Sequence, residues 1–198
     1  MPEQFLCTRQ LYSGECHYKC ARIAYNRSME QTQQPSLHLR RAQPEEFPFL
    51  QTILYEAVFW RESPTKPALA EGLAYPEVQK VLAHWGERTG DTCVVAHMAG
   101  QPVGAAWFRY WQADDAMRGY LDAQTPVLVI GVLVGYRRQG IATQLIAWLV
   151  EAAARQAIPQ ISLMVAKDNH ARHLYTQQGF VEYAATNDSH LTVRKVIF

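Results

Sequence analysis

Residues 127–156 read VLVIGVLVGYRRQGIATQLIAWLVEAAARQ, and three local rules divide them. Val127–Val134 are eight consecutive apolar or glycine residues, the pattern of a central strand buried on both faces. From Ile141 the apolar positions Ile141, Leu145, Trp148, Leu149 and Ala152 recur at one-face helical spacing, with abundant alanine. Pro159 stops that helix, and ISLMVA beyond it reads as another strand. Strand, helix and strand in this order imply a parallel, right-handed crossover, and so an α/β fold.

The joint between strand and helix carries the chemistry. GYRRQG is a tight turn feeding a helix N-terminus, where unpaired backbone N–H groups meet the positive end of the helix dipole. That is an anion site; Arg137 and Arg138 add charge, and Gly140 lets a ligand approach the backbone. Gly135 and Gly140 also have the spacing that opens a nucleotide-binding P-loop. Ile141 and Ala142 stand where that loop needs Lys and Ser/Thr, so triphosphate chemistry lacks its parts. A pyrophosphate such as that of coenzyme A needs neither. By itself the turn also fits a Gly140 that only makes the bend, with solvated arginines.

Upstream, LHLRRA alternates as a strand, and Pro44 with two glutamates opens a helix from Glu45 to about Phe59. A loop with two prolines follows, then a helix over Leu69–Trp85, broken before Pro76 and ended by Gly86 and Gly90. TCVVAHM and PVGAAWFRYW, joined by AGQ, read as a β-hairpin. Downstream, Asp168 or Asn169 caps a short helix to Gln178, Gly179 ends it, and FVEY and LTVRKVIF close the chain as strands.

Composition narrows the class. A chain of 198 residues with 48% hydrophobic residues can bury roughly 70% of its unfolded surface without disulfides or metal. A net charge of +1 gives no footprint for nucleic acid or an anionic membrane. No apolar run approaches the roughly 20 residues of a membrane span, and no secretory signal is visible, so a cytoplasmic setting is expected. Residues 1–36 have no sustained period and read as a flexible N-terminal extension, with Met29 a candidate alternative start. Cys7, Cys16 and Cys20 cluster there around His17, but not at the paired C-x-x-C spacing of zinc modules. Cys93 reads as a small buried hydrophobe, and His170 and His173 as solvated rather than metal ligands. No metal site is expected.

Two motifs together carry a family resemblance. Arg137-x-x-Gly140-x-Ala142, after an apolar strand and before an apolar helix, resembles the R/Q-x-x-G-x-G/A signature of the GNAT acetyltransferases. DNHARHLYTQQGF downstream resembles that family's N-x-A-R-x-x-L-Y-x-x-x-G-F segment. The match covers 37–198 in element order and is close over Pro126–Val181; Ala142 replaces the usual final Gly, and Gly135 stands where Pro is common.

The resemblance implies a GNAT domain over 37–198: a mixed central sheet of about six to seven strands, about four helices, and splayed central strands forming an acyl-CoA cleft. It implies acetyl-CoA as co-substrate and direct acetyl transfer to a primary amine. Backbone N–H groups of Arg138, Gln139, Gly140, Ile141, Ala142 and Thr143 would hold the pyrophosphate, and Arg137 would also bind the cofactor. Leu133 and Val134 would pair with the pantetheine arm, and an N–H there would stabilise the oxyanion. Asn169 would touch the cofactor arm, and Tyr175 would lie near the sulfur as the acid for the departing thiolate. Packing on the inner face of its helix is the other reading of Tyr175.

Relatives often carry a carboxylate on the central strand near Val127, which here is apolar; Glu62, Asp114, Asp115 and Asp122 are loop candidates for the base, none singled out. The acceptor is expected at Trp60–Pro67, Trp107–Trp111 and Asp114–Asp122, with Trp107, Tyr110 and Trp111 lining a pocket or packing in the core. It is a small-molecule or peptide amine, and a homodimer is permitted. The rival reading is a non-catalytic acyl-CoA-binding module.

Overall fold

The structure is a computed structural model that describes residues 7–12, 15–20 and 36–197, with side chains over 36–197. The chain divides into a unit over Met1–Gln34 and one over Pro35–Phe198. In the first, β1 (Cys7–Tyr12) and β2 (Glu15–Cys20) pair as an antiparallel hairpin that the aperiodic sequence does not announce. The expectations for Met29, for the extension's flexibility and for the side chains of Cys7, Cys16, His17 and Cys20 lie outside the described residues and side chains.

In the second unit the order is β3 (Leu37–Arg41), α1 (Phe47–Val58), α2 (Leu69–Leu73), α3 (Pro76–Leu82), β4 (Thr92–Met98), β5 (Gln101–Arg109), β6 (Val127–Val132), α4 (Ile141–Arg155), β7 (Gln160–Ala166), α5 (Ala171–Gln177), β8 (Val181–Ala185) and β9 (Ser189–Lys195). The α-helices among the described residues number five, in keeping with the fold expected, and the break before Pro76 divides α2 from α3 because proline has no N–H with which to continue α2. The seven strands lie in the order β3-β4-β5-β6-β7-β9-β8, antiparallel throughout except for β6 and β7. Ala99 and Gly100, both left-handed, make the β4–β5 turn.

Both faces of the sheet are covered, and period-two alternation assigns the sides. Val94, Ala96, Val103, Ala106 and Phe108 meet Leu145, Ile146, Leu149 and Ala153 of α4. Their neighbours Cys93, Val95, Ala105 and Trp107 meet Leu50, Ile53, Leu54, Val78 and Val81 of α1 and α3. Each fully buried Leu or Ile on α4 contributes about 1.5–3 kcal/mol of transfer free energy.

Two contacts fix the α1–α3 layer. A Cβ on Gly131 would come within 2.9 Å of Ile53 Cγ2 and of the Ile53 carbonyl oxygen, so α1 lies directly on the end of β6. Arg109, only 1% exposed, commits all five N–H donors: two to Asp91 (2.8 and 2.7 Å) and one each to the carbonyls of Val81, Ala83 and His84. It thereby caps the last turn of α3, which ends at Leu82, ahead of the glycines expected to stop it.

Candidate functional site

The buried strand of the sequence reading needs correcting at its second half. β6 ends at Val132, and Val129, Ile130 and Gly131 are only half-buried. Its parallel partner is the reason: β6 pairs with β7 at Val127↔Ser162 alone, with Ser162 N–H donating to the Pro126 carbonyl (3.1 Å). Beyond that pair the strands part and leave a cleft of about 1170 Å³. Its walls include Val127–Val132 and Leu163–Ala166, and Gly140–Thr143 also line it.

The turn forms one end. Val134–Tyr136 make a single 3-10 turn, Arg138 adopts a left-handed backbone (φ +61°), and Gly140, also left-handed (φ +76°), is the N-cap of α4. The first helical bond runs from Gln144 N–H to the Gly140 carbonyl (3.3 Å), and no side chain caps this end. Among the described residues the N–H groups of residues 138–143 therefore have no backbone acceptor. Six consecutive free donors at the positive end of a fifteen-residue helix form a seat for an anion with several oxygens.

Not every expected contact is present. Val134, 58% exposed, lines the cleft, but Leu133 packs among the α1–α3 residues and spends its N–H on the Val103 carbonyl (2.9 Å). An oxyanion donor just past the end of β6 would have to be Val134 N–H. Gln139 turns its side chain back to the Gly135 carbonyl (3.3 Å) and stays outside the lining. Arg137 lines the cleft, yet its guanidinium is committed to Glu56 of α1 (2.6 Å) and to the Val132 carbonyl (3.0 Å). Arg138, Gly140, Ile141, Ala142 and Thr143 lie at the wall.

On the β7 side, Asn169 accepts from Ala171 N–H through Oδ1 (2.9 Å) and so starts α5, leaving its amide N–H groups for a ligand. Tyr175 lines the cleft with its ring edge-on to Phe180 (5.9 Å between centroids). Burial pushes its phenol up to about 12, so it is a neutral O–H donor at physiological pH. His170 and His173 are exposed, and among the described residues no group of three or more His, Cys, Asp and Glu side chains could hold a metal.

The expected acceptor trio is not at the cleft. Trp107 is buried edge-on against Trp85, and Trp111 is buried beside the Arg109 guanidinium. Tyr110 covers Gly90, where a Cβ would meet its ring at 2.7 Å. β5 is an interior strand covered on both faces, which keeps Trp107 from the cleft, while Tyr110 and Trp111 lie just past its end, half-buried and buried respectively. Trp60, Arg61, Tyr75, Lys80, Met117 and Arg118 line the cleft instead. Arg61 reaches across to Asp168 in a two-pronged bond (3.0 and 2.6 Å), which holds that carboxyl below its usual range. Lys80 donates to the carbonyls of Asp115 and Ala116 (2.8 and 3.0 Å), anchoring the loop that carries Met117.

Of the candidate bases, Glu62, Asp114, Asp115 and Asp122 are all absent from the lining; Asp115 and Asp122 bond instead to the backbone N–H groups of Gln112 and Gln124. Glu56, which the sequence does not single out, is the one largely buried carboxylate in the wall among the described residues (15% exposed). Nothing local marks it, since its partner lies 81 positions away.

Known structures share this architecture. The acetyltransferase of GNAT family from Streptococcus pneumoniae is 19% identical, with TM-score 0.61 over 82% of this chain and 100% of its own. PaiA N-acetyltransferase from Thermoplasma acidophilum, in complex with coenzyme A, is 14% identical, with TM-score 0.62 over 81% and 99%. YncA from Salmonella typhimurium, with its cofactor acetyl-CoA, is 18% identical, with TM-score 0.58 over 82% and 95%. These likenesses concern the fold, and no curated protein matches the chain significantly. The family model described as Acetyltransferase (GNAT) family matches residues 55–180, from the end of α1 through β6, the turn before α4, and α5. With the splayed strands and both motifs inside that span, the chain belongs to the GNAT acetyltransferase family.

Proposed function

We propose that this protein binds acetyl-CoA in the β6–β7 cleft and transfers its acetyl group directly to a primary amine of a small molecule or peptide, in a cytoplasmic setting. The observation that carries the reading is the run of free N–H groups from Arg138 to Thr143 at the mouth of the cleft. The two solved relatives with coenzyme bound support it through their shared fold.

In this reading the pyrophosphate sits on the turn and the pantetheine arm fills the gap left by β7, with Asn169 beside it. The amine nitrogen attacks the thioester carbonyl carbon, and Val134 N–H faces the developing oxyanion. The C–S bond breaks as the amide forms. Tyr175 donates its proton to the departing sulfur, and the proton lost by the amine returns to the tyrosine through water. No metal takes part. Trp60, Tyr75 and Met117 line the acceptor side.

A thermal-shift titration with acetyl-CoA, CoA and ATP–Mg²⁺ is the test. A ligand that binds only the folded state raises stability by mass action, so both coenzyme forms raise Tm and the nucleotide does not. No rise with either coenzyme form overturns the reading. One observation favours a non-catalytic acyl-CoA binder instead: Glu56, the single largely buried carboxylate of the wall among the described residues, is spent on Arg137. Coenzyme binding with no thiol release across a broad amine panel would decide for that alternative.

A further inference from the structure

A turn whose N–H groups are reserved for a ligand cannot use them to hold itself in shape. Between Leu133 and Thr143 the backbone supplies only two bonds within the turn: Tyr136 N–H to the Leu133 carbonyl (2.9 Å) and Arg137 N–H to the Val134 carbonyl (3.3 Å). The exposed Gln139 amide adds one at 3.3 Å. Against these stands a left-handed, non-glycine Arg138, a conformation unfavourable for an L-residue that persists only where its surroundings impose it.

The missing restraint comes from a side chain. Arg137, immediately before the strained residue, ties its Nε to the Val132 carbonyl and its Nη2 to Glu56 Oε2 at 2.6 Å. Glu56 in turn is rigidly placed: it lies one turn beyond Ile53, which Gly131 allows to sit directly on β6. The pair is 15% and 34% exposed, so its charge-assisted bond is stronger than a solvated one. It also neutralises a carboxylate that would otherwise face an incoming polyanion.

We propose that Glu56 is the positioning residue of the phosphate turn, acting through Arg137, so that α1 sets the affinity for the diphosphate of the coenzyme. Arg137 is then a tether rather than a phosphate ligand. This rests on the turn being the pyrophosphate seat.

The test is isothermal titration of the full chain with acetyl-CoA and with S-acetylpantetheine, which shares the thioester and arm but lacks the diphosphate. Glu56→Leu weakens acetyl-CoA binding about tenfold and leaves S-acetylpantetheine within about twofold. Glu56→Gln keeps an acceptor oxygen for Arg137 and loses less, about threefold, for acetyl-CoA only. It carries the experiment if the leucine variant does not fold. Unchanged or tighter acetyl-CoA binding overturns the proposal, as does an equal loss for both ligands, which marks a general packing role. Failure of the unaltered protein to bind acetyl-CoA overturns the underlying reading instead.

Discussion

Among the molecule's arginine–carboxylate pairs, Arg109–Asp91 and Arg137–Glu56 are of nearly equal length and do different work. Arg109 and Asp91 meet at 2.7 Å with both side chains sealed, at 1% and 5% exposure, and three carbonyls fill the remaining guanidinium donors. Arg137 and Glu56 meet at 2.6 Å in the wall of an open cleft. The first joins α3, β4 and β5 inside the fold. The second joins a helix to a ligand-facing turn. The difference teaches that a short ion pair is not a role in itself: what the neighbouring backbone still lacks decides it. Arg109 spends all five of its own N–H donors within the fold, whereas beside Arg137 six backbone N–H groups wait for a partner.

The comparison predicts that changes at the sealed pair move stability, and changes in the cleft move binding or turnover. The largest effect falls on Asp91→Ala. It leaves the Arg109 charge buried and unpaired, and costs about 3–5 kcal/mol, read from urea unfolding. Acetyl-CoA affinity of the folded fraction at low temperature stays unchanged; a selective loss of affinity would break the distinction.

Next is Tyr175→Phe, which lowers kcat by about 10²-fold and leaves the coenzyme Kd within about twofold. Steady-state and binding measurements on one preparation check it, and an unchanged kcat removes the acid role. Gly131→Ala is expected to blur the division. The added methyl meets Ile53 at 2.9 Å, so α1 must shift, costing about 1–3 kcal/mol of stability. Because Glu56 moves with α1, coenzyme affinity falls as well. Gly140→Val sharpens the division: its Cβ has open space, so the cost is the left-handed backbone alone, about 1–2 kcal/mol, read mainly as weaker coenzyme binding.

The smallest effect is alkaline. With its phenol pushed up to about 12 in the fold and near 10 when unfolded, Tyr175 keeps its proton where the unfolded chain loses it. Its contribution is therefore intact below about pH 10 and lost as pH rises through about 12. Tyr175→Phe shows a shallower loss of stability across that window than the unaltered protein.

What the sequence determined by itself was local. Apolar runs, helical spacing, Pro76 and Pro159, and the turn Gly135–Gly140 specify strands, helices and an anion-ready N-terminus, because propensity, periodicity and capping act over a few residues. The two motifs placed Asn169, Tyr175 and most of the turn at one cleft. Tertiary structure decided the rest. A run of eight apolar residues cannot say where its neighbour parts from it, so the half-buried Val129, Ile130 and Gly131 were read as buried on both faces. Alternation along β5 could not reveal that both of its faces are covered, which removed Trp107 from the acceptor wall, and Tyr110 and Trp111 beyond the strand pack instead on Gly90 and Arg109. Leu133 left the site because its N–H met Val103, and Glu56 entered it because α1 folds onto Gly131. Each of these depends on contacts between segments far apart in the chain, and pairing at that range follows from packing the whole sheet rather than from any neighbouring residue.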